Sequence, residues 1–121
     1  MSIYQDLILD HYRNPHNFGP LKKATAKYSL MNPLCGDKIE IQVVIKKDTL
    51  TAVRFLGEGC VISKASASML TDFAQGKSLN QLKALDTQFI LKMLGVSLSP
   101  NRVKCALLPL EVLHKLVVKN G

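Results

Sequence analysis

This sequence predicts an α+β fold, a small antiparallel sheet of two or three strands covered by helices on one face. Three observations carry that reading. Residues 38–47, KIEIQVVIKK, place Ile39, Ile41, Val43 and Ile45 at a period of two, the spacing of one face of a strand. Residues 48–57, DTLTAVRFLG, repeat the pattern with Leu50, Ala52 or Val53, and Phe55, and the intervening KKDT is short enough for a hairpin turn. After Gly59 the apolar period lengthens to that of a helix and keeps it to the end of the chain.

The elements follow in order. Residues 3–13, IYQDLILDHYR, set Ile3, Leu7, Ile8 and Tyr12 at helical spacing, and NPHNFGP then ends that helix with two prolines and a glycine. ATAKYSLM reads as the first strand, and the two alternating segments are the next two. SKASASMLTDFAQG reads as a helix with Ser63 as its N-cap and Gly76 as its stop. SLNQLKAL carries Ser78 and Gln81 at capping-box spacing, and DTQFILKMLG opens on Asp86 as a cap and closes at Gly95. The last segment places Val103, Ala106, Leu107, Leu110, Leu113 and Val117 on one helical face, with Pro109 inside it as a kink or a restart.

The 121 residues, 47% of them apolar, fit one domain over 1–121 with enough core to fold without disulfide staples. No apolar run approaches the ~20 residues of a membrane span. The acidic start, MSIYQDLILDHY, lacks the form of a signal peptide. Three cysteines, an odd number, argue against a disulfide framework and for a reducing, cytoplasmic setting. The formal charge of +7 comes from scattered lysines, with few aromatics to stack bases, so no nucleic-acid role is expected. An acidic protein partner is compatible with that charge.

Chemistry concentrates at the cysteines. Cys35, Cys60 and Cys105 each fall at a junction between elements, where a scaffold presents reactive groups. NPLCGD, residues 32–37, sets Cys35 two residues from Asp37 across a glycine, a combination that core filling does not require. Cys60 follows GEG and precedes a helix N-terminus, whose partial positive charge favours a thiolate. Any one of these cysteines taken alone reads as core filler. Together with Asp37 they form a donor set for tetrahedral zinc, or three thiolates of an iron–sulfur site. His11, His16 and His114 read as structural, Tyr4 as core, and the small residues Ala65, Ser66, Ala67 and Ser68 as a close-packing surface.

Five stretches carry a further signal: YQDLILDHYRNPHNFG at 4–19, NPLCGD at 32–37, GEGCVISKASASML at 57–70, GK at 76–77 and RVKCALL at 102–108. In this order they resemble the iron–sulfur cluster scaffold family of IscU, SufU and the N-terminal domain of NifU. The resemblance implies a three-stranded antiparallel sheet packed against helices, of the SufE/NifU-like, IscU type. It implies a metal and cluster site of Cys35, Asp37, Cys60 and Cys105, occupied by zinc at rest or by a [2Fe–2S] cluster. It also implies a cysteine desulfurase as sulfur donor and apo iron–sulfur proteins as recipients.

Two departures bear on the branch. Where IscU chains carry a histidine before the third cysteine, this chain has Lys104, which with Arg102 resembles SufU. A protonated lysine has no lone pair for a metal, so the expected role of Lys104, supported by Arg102, is to favour a thiolate or persulfide by its charge. Yet the segment before Cys105 is compact, as in IscU, and SPNRV replaces the proline-rich chaperone motif, so an Hsp70-type partner is not expected. The expected function is a scaffold that accepts persulfide sulfur, at Cys35, and assembles and transfers a [2Fe–2S] cluster. The alternatives are a SufU-type zinc-dependent sulfurtransferase and a structural zinc-binding module.

Overall fold

A computed structural model describes residues 3–33 and 36–120. Helix α1 (Ile3–Arg13) leads into strands β1 (Ala26–Asn32), β2 (Asp37–Lys46) and β3 (Thr49–Glu58), followed by helices α2 (Val61–Ala74), α3 (Leu79–Lys83), α4 (Thr87–Leu94) and α5 (Pro100–Asn120). The strands form an antiparallel meander in the order β1-β2-β3. At the β2–β3 turn Lys47 and Asp48 both have positive φ, 51° and 59°, the twist that a two-residue hairpin requires.

The ambiguity between Ala52 and Val53 has a structural cause. Ile45 pairs with Leu50 but Val44 pairs with Ala52, so Thr51 is an extra residue that bulges β3. The bulge turns Leu50 and Val53 to the same side, and with Phe55 they are buried against Ile39, Ile41 and Val43. Helices α2 and α5 cover this apolar face, with α2 on β3 and α5 on β1 and β2. Lys38 and Arg54 stand exposed on strands β2 and β3.

The caps of α3 and α4 form as their sequence implies. Ser78 Oγ accepts the Gln81 N–H and Gln81 Oε1 accepts the Ser78 N–H, while Asp86 caps α4 and Gly95 ends it at φ 69°. Helix α2 differs. It begins two residues before Ser63, with Cys60 at its N-cap. Ser63 is buried in the first turn, its hydroxyl donating to the Cys60 carbonyl at 3.2 Å. Helix α1 also differs: Ile8 and His11 are its buried residues, whereas Ile3, Leu7 and Tyr4 are exposed, Tyr4 by 46%. Tyr4 is therefore not a core aromatic. Its ring lies on Gly95, where any Cβ would collide with it.

Helix α5 runs unbroken through Pro109, which is buried along with Ala106, Leu110 and Leu113. The small residues of α2 serve as expected. Ala65, Ser66, Ala67 and Ser68 are all fully buried, letting α1 and α5 approach the same helix. Ser66 Oγ donates to the Ala106 carbonyl at 2.7 Å, tying α2 to α5 just after Cys105. Ser66→Ala removes that buried bond, and urea unfolding is expected to show a loss of about 1 kcal/mol. Among the described residues no helix is long and apolar enough to cross a membrane.

Candidate metal centre

Three chain segments meet at one end of the sheet. Asp37 opens β2, Cys60 stands at the junction of β3 and α2, and Cys105 lies in the second turn of α5. Their ligand atoms, one from each side chain, all lie within 4.8 Å of one another. Asp37 and Cys105 are buried, and Cys60 is half-buried. A cavity of about 600 Å³ opens beside them, lined also by Asn32, Gly36, Glu58, Gly59, Asn101, Arg102 and Lys104.

Asp37 is held by the start of α2. Its Oδ1 accepts the Cys60 N–H at 3.0 Å, and its Oδ2 accepts from the Cys60 thiol at 3.5 Å. A carboxylate placed there satisfies a backbone donor of the helix start and faces the positive end of the helix dipole. Gly59 makes the approach possible. A Cβ on it would lie 2.3 Å from Ser63 Oγ and 3.1 Å from the Asp37 carboxylate. Ser63 supports the cysteine from below, its hydroxyl 3.8 Å from the Cys60 sulfur.

The donor set suits a borderline-soft ion. Two thiols and one carboxylate are ordinary zinc ligands, and a tetrahedral zinc spaces its sulfur and oxygen donors by about 3.6 Å. The 3.5 Å between Cys60 Sγ and Asp37 Oδ2 already has that spacing.

Of the residues expected at the site, the fold brings Asp37, Cys60 and Cys105 together as donors and sets Arg102 and Lys104 on the cavity wall. Cys35 lies outside the described residues. Its neighbour Gly36 has φ 73° and donates its N–H to the Asn32 carbonyl at 2.8 Å. Arg102 and Lys104 are exposed in the first turns of α5, which Ser99 caps through the Arg102 N–H at 3.4 Å. Sequence reasoning missed Ser63 as a support of Cys60, because a serine just before an apolar helical run has the signature of a cap. It also missed Glu58 and Asn32 as cavity walls, for which no signal exists before the strands are paired.

The family model of the NifU-like N-terminal domain matches residues 3–120, nearly the whole chain. The chain belongs to this family. It is 35% identical over 135 residues to the zinc-dependent sulfurtransferase SufU of Bacillus subtilis, covering 98% of this chain and 91% of that one. It is also 37% identical over 113 residues to the iron–sulfur cluster assembly scaffold protein IscU of Aquifex aeolicus, covering 92% and 71%. The crystal structure of the N-terminal part of a NifU-like protein from Brucella abortus superposes with a TM-score of 0.79 at 19% identity, covering 97% of this chain and 93% of that one, and so shares the fold. The three-stranded sheet with helices is thus the fold of the family. Relatives named as scaffold and as sulfurtransferase match this chain about equally well.

Proposed function

We propose that this protein is a scaffold for iron–sulfur cluster assembly that accepts persulfide sulfur from a cysteine desulfurase and builds and passes on a [2Fe–2S] cluster. The convergence of Asp37, Cys60 and Cys105 on one open cavity, in a chain of this family, carries the reading. Asp37, Cys60 and Cys105, with Cys35, are the residues that would hold the cargo cluster. Zinc held by the same residues would keep the thiols deprotonated and the site closed at rest.

Cys35 is the sulfur acceptor in this proposal. Its thiolate attacks the outer sulfur of the desulfurase persulfide. That S–S bond breaks, the desulfurase thiolate leaves, and a new S–S bond forms on Cys35. No net oxidation occurs; reducing the delivered sulfur to sulfide takes two electrons from an external thiol or ferredoxin-type donor. Gly36, the residue after Cys35, has positive φ, a conformation that glycine adopts without strain. Arg102 and Lys104, at the cavity wall, draw the anionic persulfide inward. Asp37 contributes the one oxygen donor among thiolates, the ligand type iron–sulfur clusters use least, and so the bond that opens when a cluster leaves.

The second reading, a zinc-dependent sulfurtransferase that builds no cluster, is favoured by the cationic wall of Arg102 and Lys104. Anaerobic reconstitution with iron, cysteine and a desulfurase separates the two. A visible cluster chromophore that transfers to apo-ferredoxin supports the scaffold. Retained zinc with no chromophore and faster desulfurase turnover supports the sulfurtransferase, and neither effect leaves a structural zinc module. Cys35→Ala is expected to slow persulfide loading at least tenfold in a mass-spectrometric time course, and loading at the normal rate removes Cys35 from the acceptor role.

A further inference from the structure

A second group of metal-ligating side chains lies away from the cysteines. His11 is in the last turn of α1, His16 follows in the loop, and Asp72 is on α2, and their ligand atoms all lie within 4.8 Å of one another. Asp72 is twelve residues from Cys60 along α2, about 18 Å at 1.5 Å per residue. The two groups are therefore separate sites.

Each of the three side chains is already oriented. Ser68 and Asp72, one helical turn apart on α2, face the end of α1 together. His11 Nδ1 meets Ser68 Oγ at 2.7 Å, and Ser68 Oγ also accepts the His16 backbone N–H at 2.8 Å. His16 Nδ1 and Asp72 Oδ2 are 2.5 Å apart, and Asn17 donates to the other Asp72 oxygen at 2.8 Å. The imidazole rings stand 4.4 Å apart between centroids. Hydrogen-bond partners that fix ligand rings and carboxylates are characteristic of metal sites.

We propose that His11, His16 and Asp72 form a second site for a divalent transition-metal ion of the zinc class, clamping α1 and its following loop to α2. The chemistry of the donors suits this. Two imidazoles and a carboxylate select zinc, cobalt or nickel over calcium or magnesium. Ser68 engages His11 Nδ1, so in this proposal Nε2 is the nitrogen that would ligate the ion. The ion takes the place of the proton between His16 Nδ1 and Asp72 Oδ2, and the metal-bound imidazole is neutral, with its single proton on Nε2.

The adjustment is small. A tetrahedral zinc holds nitrogen and oxygen donors about 3.4 Å apart. The contact between His16 and Asp72 opens by about 1 Å, and both side chains are roughly half exposed, so no core packing resists the shift. Their exposure also gives the ion its path in and leaves the fourth position to water. Sequence alone assigns both histidines a structural role, because Asp72 lies 56 residues from His16 and only the fold joins them.

The inference does not depend on the proposed function. The test is cobalt(II) titration of the full chain with one equivalent of zinc already at the cysteine site. A second equivalent is expected to bind at micromolar concentration with weak visible bands and no thiolate-to-metal charge transfer. His16→Ala and Asp72→Ala, both at exposed positions, should each weaken it at least tenfold and leave the first equivalent unchanged. A stoichiometry that stays at one, binding only at millimolar cobalt, or a second equivalent indifferent to both variants would overturn the proposal.

Discussion

Cys105→Ala is expected to weaken zinc binding at least 100-fold, about 2.7 kcal/mol, while the protein stays folded. Structural zinc sites at neutral pH bind with roughly 10–16 kcal/mol shared over four ligands, so one thiolate carries about 3 kcal/mol. Asp37 and Cys60 face each other before any ion arrives, and Cys105, 4% exposed on a different helix, brings a second thiol within 4.8 Å of both. Losing it leaves an open site whose remaining ligands cannot recover a buried thiolate from solvent. The fold tolerates the change because alanine removes only the sulfur from a helix also anchored by Ala106, Leu110 and Leu113. Competition with a chromophoric chelator measures the affinity, and circular dichroism checks the fold. Lys104→Ala is the control: one residue earlier and without a metal-ligating lone pair, it should change zinc affinity far less than Cys105→Ala while slowing sulfur loading. Zinc affinity within threefold of wild type in Cys105→Ala would remove Cys105 from the ligand set.

The contrast between Cys60 and Ser63 shows where sequence reading reaches and where it stops. GEGC announces a tight approach, because glycines on the entry side have few other uses, and the structure gives Gly59 a steric reason through Asp37 and Ser63, although the Cys60 thiol it presents is half-buried. Ser63 is legible only as a polar residue at a helix start, and its real place is decided by where the backbone of β3 hands over to α2. The strands are readable because alternation is local, yet the bulge at Thr51 is not, since it is a property of the pair β2–β3 and not of either strand. Helix α1 shows the opposite failure. Of its apolar stripe of Ile3, Leu7, Ile8 and Tyr12 only Ile8 is fully buried, and the polar His11 is buried beside it because the hydroxyl of Ser68 provides a partner there. The same limit hides the His11, His16 and Asp72 group, whose members lie on three different segments.

Gly57→Ala should be the most damaging single-methyl change near the site, costing about 3 kcal/mol and lowering Tm by about 10 °C. Gly57 sits near the end of β3 opposite Ile39, with φ at 155°, a conformation almost confined to glycine. Any other residue held there carries about 1–3 kcal/mol of strain. Crowding adds to the strain. A Cβ there would lie 2.1 Å from the Lys38 carbonyl oxygen and 3.1 Å from Ile39 Cα, both backbone atoms that no rotamer change can move aside. Lys38 directly follows Asp37, so relief of the clash must shift the start of β2 and pull the carboxylate away from Cys60. Gly76→Ala separates the two causes. Gly76 has φ 77°, but an added methyl would meet nothing within 4 Å. It should therefore lose only about 1 kcal/mol. Urea unfolding of both variants, with unchanged m-values, reads the difference. Equal losses would mean that backbone strain alone accounts for Gly57, and zinc affinity would then be unaffected. A larger loss at Gly57 together with weakened zinc binding would show that the glycine is there to let β3 pass close enough to β2 for Asp37 to reach the metal centre.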